Sequence, residues 1–291
     1  MIPVKKRSAA LRAAIEEGVV VAPGAFNALV ARAIERRDFG AVYLSGAAIS
    51  NCVRGIPDVG FLGLVDVIGH ARRISEACDL PLIADIDTGF GGPEQVQETI
   101  RAMGEAGVSA VHIEDQRLPK RCGHLSGKEI VDTEEMVEKI RAAVQARPHK
   151  DFLILARTDA GAVEGFEGAV RRAQWYLEAG ADGIFPEALE SEEQFACFAR
   201  EVPTILLANM TEFGKSPPLP VARLAELGYK IAIFPMTLAR AAMFAVEQTL
   251  DAIEMEGTSV GMLDRMQTRA ELYDLLDYDP EELTSRSEKD D

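Results

Sequence analysis

The chain has 291 residues, 47% of them hydrophobic and 27% charged, and a formal net charge of -16. That balance is ample for a large core and argues against nucleic acid or an anionic membrane surface as partner. The four cysteines, Cys52, Cys78, Cys122 and Cys197, show no zinc-like spacing, no stretch approaches the ~20 apolar residues of a membrane span, and the first residues lack a signal-like apolar run, so a reduced, cytoplasmic protein is expected.

From residue 8 to about 250, short apolar runs alternate with longer amphipathic ones. The runs at 19–22, 41–44, 81–85, 110–114, 152–156, 183–185, 204–208 and 231–234 read as strands. Helices are expected at 27–37, 64–77, from Pro93, at 133–145, at 166–179, from Glu192, at 221–227 and at 238–256. Runs that are apolar on both faces indicate strands covered on both sides, as in a parallel sheet. Eight such strand–helix pairs in this length favour one (β/α)₈ TIM-type barrel over an open doubly wound sheet. The whole chain, 1–291, is read as one barrel domain with an extension helix at about 262–277 and a frayed acidic tail at 284–291. His112 reads as a core histidine within a strand, His70 as a surface residue, and Trp175-Tyr176 as packing on the barrel exterior. Cys52, Cys78 and Cys197 read as buried or inert, without cationic neighbours.

In a barrel the site lies at the carboxyl ends of the strands, so polar residues there are informative. Those ends carry Tyr43 and Ser45-Gly46, Asp85 and Asp87, Glu114, Arg157, Glu187, and Asn209 with Thr211 just beyond. Asp85, Asp87, Glu114 and the loop residue Asp58 would repel one another in a partly dry site. A hard divalent cation removes that cost, and an all-oxygen set points to Mg²⁺, with Mn²⁺ as alternative. Between Gln116 and Asp132 runs a connection without apolar periodicity, long enough to be a lid or binding loop. It holds Lys120-Arg121-Cys122-Gly123-His124, and the cations beside Cys122 favour its reactivity.

These segments together resemble the isocitrate lyase/phosphoenolpyruvate mutase superfamily, and within it the methylisocitrate lyases. The resemblance is carried by Tyr43-Leu44-Ser45-Gly46, Asp85-Ile86-Asp87-Thr88-Gly89-Phe90-Gly91, His112-Ile113-Glu114-Asp115-Gln116 and Lys120-Arg121-Cys122-Gly123-His124. It continues in Ala156-Arg157-Thr158-Asp159, Phe185-Pro186-Glu187, Asn209-Met210-Thr211-Glu212-Phe213-Gly214 and Met266-Gln267-Thr268-Arg269. Ala47-Ala48 and Leu125-Ser126-Gly127 depart from the family pattern close to the substrate.

The resemblance implies a homotetramer with C-terminal helices exchanged between subunits. It implies Mg²⁺ held mainly by Asp85, with Asp58, Asp87 and Glu114 reaching it through water. The expected reaction is retro-aldol cleavage of 2-methylisocitrate, a small tricarboxylate, to pyruvate and succinate. Cys122 is the expected catalytic acid and Tyr43 the candidate base, with His124 and Lys120 completing the catalytic set. Ser45, Gly46, Ala47, Gly123, Arg157, Glu187, Asn209 and Thr211 form the expected substrate-binding set. The alternatives are another superfamily substrate (isocitrate, dimethylmalate, oxaloacetate or a phosphonopyruvate-type acid), a Schiff-base aldolase using Lys120, and a metabolite-binding barrel without turnover.

Overall fold

Short aliphatic runs with no polar face make strands that must be covered on both sides. The computed structural model describes residues 2–121, 123–125 and 127–280. The chain divides into two compact units, residues 1–239 and 240–291. The first unit begins with α1 (Val4–Glu17), β1 (Val20–Pro23), α2 (Ala28–Glu35), β2 (Val42–Leu44), α3 (Gly46–Ala48), α4 (Leu64–Ala77), β3 (Leu82–Asp85) and α5 (Pro93–Glu105). It continues with β4 (Ala110–Glu114), α6 (Thr133–Gln145), β5 (Leu153–Thr158), α7 (Gly165–Glu178), β6 (Gly183–Pro186), α8 (Glu192–Glu201), β7 (Ile205–Asn209), α9 (Val221–Glu226) and β8 (Ile231–Phe234). All eight strands are parallel, in the order β1-β8-β7-β6-β5-β4-β3-β2. A parallel bridge from Gly24 to Tyr43 joins the two ends, with Ala25 N–H donating to the Tyr43 carbonyl at 2.9 Å. The expected (β/α)₈ barrel is therefore the fold.

Two apolar clusters follow from this closure. One lies between the sheet and its helices, built from residues such as Ile74, Val96, Ile140, Ala173 and Phe198. The other fills the barrel, and α1 contributes Leu11 and Ile15 to it beside Val20, Ile83, Leu153 and Ile231. These strand residues stand near the starts of their strands, so α1 plugs the end opposite the polar cluster. Arg7 fastens the plug by donating from Nη1 to the Ser75 and Cys78 carbonyls, each at 2.9 Å. Sequence patterning misses α1 because its buried positions are Arg7, Ser8, Leu11 and Ile15, only two of them apolar.

Several expectations are corrected. His70 is buried, because the inward face of α4 is Val67, His70, Ala71, Ile74 and Ser75, spaced three and four apart. Trp175 is exposed while its neighbour Tyr176 is fully buried, since successive helix residues point roughly 100° apart. Cys52 is exposed rather than buried, and half-buried Cys197 has a cation beside it, accepting from Arg200 Nη2 at 3.7 Å. Cys78 is buried, and that burial pushes its thiol up to about 11.

The second unit contains most of α10 (Thr237–Glu256), a 3₁₀ turn at Val260–Arg265, and α11 (Arg269–Leu275). The single extension helix expected at 262–277 is thus two pieces. Thr268 starts a fresh helix through a capping box, accepting from Glu271 N–H at 3.2 Å while its own N–H donates to Glu271 Oε2 at 2.7 Å. The expected tail at 284–291 lies outside the described residues. Among the described residues, no helix is long and apolar enough to cross a membrane.

Candidate active site

Parallel strands deliver their carboxyl-terminal residues to one rim, and here that rim is acidic. Asp85 ends β3 and accepts from Asp87 N–H at 2.9 Å and Gly46 N–H at 3.3 Å. Asp87 sits at φ 46°, a left-handed conformation uncommon outside glycine, which turns its carboxylate back towards the rim. Lys120 reaches in from the connection, its Nζ 2.7 Å from Asp58 Oδ1 and 2.6 Å from Asp87 Oδ1. Burial and the neighbouring Asp85 push Asp87 up to about 6, against the pull of Lys120. Burial also raises Glu114 well above the carboxylate range, although Arg157 Nη1 stands 3.2 Å from its Oε2. Burial opposes the Lys120 charge, but Asp87, Glu114, Asp85 and Asp58 outweigh it and keep the amine protonated. A protonated amine is no Schiff-base nucleophile, which counts against the aldolase alternative.

The basic side of the rim centres on Arg157 at the end of β5. Its guanidinium donates to Asp159 from Nε at 2.9 Å and from Nη2 at 3.3 Å, and Nε lies 3.6 Å from Glu187 Oε2. Burial disfavours the Glu187 charge, yet Arg157 and His124 hold its carboxyl down to about 2. His124 Nε2 lies 2.9 Å from Glu187 Oε1, while Nδ1 accepts from Lys215 N–H at 3.0 Å. With Nδ1 accepting, Nε2–H is the donor aimed at Glu187. Asn209 Nδ2 completes the group, 3.4 Å from His124 Nε2 and 3.5 Å from each Glu187 oxygen. Gly123 packs so tightly here that a Cβ would lie 2.4 Å from Arg157 Nη2 and 2.5 Å from Glu187 Cδ. Only glycine permits that approach.

Between these two sides lies Tyr43, whose hydroxyl is 2.7 Å from His112 Nε2. The other ring nitrogen of His112 stands 3.7 Å from Asp85 Oδ1. Burial lowers His112 to about 4, so the ring is neutral near pH 7, and burial together with Asp85 drives the Tyr43 phenol well above 10. His112 is buried, as expected, and also touches the candidate base.

The rim therefore gathers Tyr43, Asp58, Asp85, Asp87, Glu114, Lys120, Gly123, His124, Arg157, Glu187 and Asn209. Ser45 is buried with its Oγ capping α3, accepting from Ala48 N–H at 3.4 Å. Ala47 lies within α3 and is half-buried, as is Thr211, two residues beyond β7. Cys122 lies outside the described residues. The 116–132 connection is less irregular than its composition suggests. Gln116 bridges Ile130, Arg117 N–H donates to Glu129 O at 2.8 Å, and the Gln116 amide bonds Arg121 N–H and C=O, both at 2.9 Å.

Sequence reasoning missed Lys128, a buried ammonium 2.7 Å from Asp159 Oδ1. It also missed the role of Asp115, which accepts from Asp159 N–H, Thr158 Oγ1 and Tyr176 OH, each at 2.8 Å. Nothing in the local sequence marks either pairing, because the partners are 31 to 61 residues apart.

The residues at the acidic side suit a hard divalent cation. Glu114 Oε1 is buried without a hydrogen bond, Glu114 Oε2 faces Arg157 Nη1 at 3.2 Å, and Asp58 Oδ1 and Asp87 Oδ1 share the one Lys120 ammonium at 2.7 and 2.6 Å. Two carboxyls raised by burial need further positive charge to ionise fully. Among the described residues no three His, Cys, Asp or Glu side chains enclose a metal by themselves. Mg²⁺, which keeps several waters, needs no such cage.

Known proteins bear on the same residues. The phosphoenolpyruvate phosphomutase family model matches residues 11–254. The chain is 50% identical over 277 residues to a protein named 2-methylisocitrate lyase from Aeropyrum pernix, covering 95% of this chain and 89% of that one. A crystal structure of 2,3-dimethylmalate lyase superposes with a TM-score of 0.88 at 37% identity, covering 95% and 92% of the two chains. A phosphonopyruvate hydrolase solved with oxalate and Mg²⁺ superposes with a TM-score of 0.83 at 33% identity, covering 92% and 94%. The matched family segment spans every strand and the whole polar rim, and the chain belongs to the phosphoenolpyruvate phosphomutase family, within the PEP mutase/isocitrate lyase superfamily.

Proposed function

We propose that the protein is a divalent-cation-dependent carbon–carbon lyase that cleaves 2-methylisocitrate to pyruvate and succinate. The carrying observation is the juxtaposition of a buried carboxylate cluster, short of positive charge, with a rigidly held guanidinium at one barrel rim, in a chain so close to proteins bearing that activity's name. Asp85, with Asp58, Asp87 and Glu114, would hold Mg²⁺, which supplies Lewis-acid stabilisation of the oxygen that becomes the pyruvate carbonyl.

Arg157 binds a substrate carboxylate, and its fixed fork sets the orientation. Asn209, Thr211 and the backbone around Ser45, Gly46 and Ala47 complete the contact, and Gly123 lets the connection close onto it. Tyr43 takes the hydroxyl proton of the substrate. Its own proton passes along the 2.7 Å bond to His112, whose buried charge is balanced by Asp85 at 3.7 Å. As the carbon–carbon bond breaks, its electron pair moves to the succinate fragment as a carboxylate-stabilised carbanion. Cys122, arriving as neutral thiol, returns a proton to that carbon. Glu187 and Lys120 are the fixed charges: one orients His124 and Arg157, the other neutralises the acids while the site is being filled. The same reading makes the protein a cytoplasmic homotetramer whose C-terminal helices are exchanged between subunits.

The test is a panel assay of 2-methylisocitrate, isocitrate, 2,3-dimethylmalate, oxaloacetate and phosphonopyruvate, with Mg²⁺ present and after exhaustive chelation. The reading expects Mg²⁺-restorable release of pyruvate and succinate from 2-methylisocitrate at the highest kcat/KM. Faster turnover of another acid would reassign the substrate, and undiminished turnover without metal would remove the cation.

A further inference from the structure

The Lys128 ammonium is 1% exposed and the Asp159 side chain not at all. Removing an ammonium from water is expensive, and a buried ion pair tends to be retained for the geometry it imposes. Charge balance alone does not explain this one. Asp159 already receives two hydrogen bonds from the Arg157 guanidinium and one from Lys128, and its N–H is anchored on Asp115. What Lys128 adds is a second bond, donated to the Gly123 carbonyl in the 116–132 connection. Gly123 is the residue whose backbone presses on Arg157 and Glu187. One ammonium thus ties the backbone of the connection to the carboxylate that orients the substrate-binding guanidinium.

The tie also lies close to the catalytic groups on the connection. Lys120 precedes Gly123 by three residues and His124 follows it directly. Each is docked on a different strand end, Lys120 on Asp87 and His124 on Glu187. The Gln116 amide staples the other side of the loop at Arg121. Lys128 is the described link between the Gly123 backbone and the floor of the rim at Asp159.

We propose that Lys128 is a positioning residue for the lyase reaction, bridging the Gly123 carbonyl and the Asp159 carboxylate so that the connection is seated in register with Arg157. This rests on the lyase reading above. Lys128 touches no substrate. It sets the distance between groups on the connection and groups on the strands, so losing it lowers the fraction of bound substrate in reactive geometry. Misplacement by about 1 Å can cost ~10²-fold in rate.

The test uses the full chain with Mg²⁺ and compares Lys128→Met and Lys128→Arg with wild type. Lys128→Met keeps the length and apolar stem and leaves Asp159 its Arg157 partner. It should lower kcat by about 10- to 100-fold while KM moves by less than about threefold, because Arg157 still binds the carboxylate. Amide hydrogen exchange over 116–132 should speed up by at least about tenfold, with the barrel strands unchanged. Lys128→Arg keeps a cation able to span both acceptors and should recover part of kcat and most of the protection. Wild-type exchange over 116–132 in Lys128→Met would overturn the proposal. So would a purely structural pattern, in which exchange rises throughout the barrel and kcat per folded molecule is unchanged. Because exchange is read without substrate, it decides the role of Lys128 even if 2-methylisocitrate proves not to be turned over.

Discussion

Replacing Cys122 by Ser swaps a thiol with an ordinary pKa near 8.5 for a far weaker acid of similar size. If Cys122 delivers the proton to the carbanion, kcat should fall by ~10²–10⁴, the usual worth of general acid catalysis, with KM shifting much less. Steady-state kinetics decide it, and a variant keeping more than about a third of wild-type kcat would take Cys122 out of the mechanism. Two rim residues carry pH signatures of the same sign in adjacent windows, each losing stability as pH falls. Glu187 is held at about 2, below the ~4.3 of an unfolded glutamate, so its stabilisation is present above pH ~4.3 and is lost as pH falls towards 2. His112 is lowered to about 4 from ~6.5, so between those values the unfolded chain binds the extra proton. Stability should therefore decline as pH drops from 6.5 to 4, and His112→Gln should flatten that slope in urea titrations run across the interval. Most strand-end residues were legible because a barrel sends them to a known place: Asp85, Glu114, Arg157, Glu187 and Asn209 needed only the strand register. Ser45 shows the limit of that logic, since its hydroxyl serves the turn of α3 as cap. Lys128 and Asp115 were illegible because their partners are chosen by packing between strands and loops, not by local pattern.

Elements were readable where the period of apolar residues was clean. The eight strands and most of their helices fall within a residue or two of expectation, because aliphatic runs alternate with amphipathic ones throughout 19–256. The main differences have local reasons. In α1, Arg7 and Ser8 occupy buried positions and break the apolar stripe, in the 116–132 connection side-chain bonds substitute for patterning, and Thr268 restarts a helix by capping. The plugging role of α1 has a direct energetic consequence. Leu11 is completely buried at the closed end of the barrel interior. Truncating a buried leucine typically costs 2–5 kcal/mol through lost transfer energy and the cavity left behind. Leu11→Ala should lower the urea-unfolding free energy by about that much. Since the plug lies opposite the catalytic rim, kcat per folded molecule should stay close to wild type. A Leu11→Ala protein of wild-type stability would mean that α1 rests on the barrel without sealing it.

At the scale of the whole molecule, α10 raises the question of what covers it. Met243, Val246, Leu250 and Ile253 recur at spacings of three and four, so they form one stripe along the helix, and all four are more than 40% exposed. Phe244 and Met255 add further exposed apolar surface at 66% and 82%. Contiguous apolar surface of this kind marks an interaction site. The proposed helix exchange supplies a matching surface from a second copy, and a closed symmetric assembly leaves no stripe uncovered. Sedimentation equilibrium at micromolar concentration should therefore give a tetramer. Leu250→Glu combined with Ile253→Glu would place two unpaired carboxylates in that contact, each costly to bury. The double variant should sediment as smaller species, with its apparent melting temperature no longer rising with protein concentration as assembly-linked stability requires. A wild-type chain that stays monomeric would remove both the tetramer and the exchanged helices from the picture. A double variant still tetrameric would locate the contact elsewhere than on this stripe.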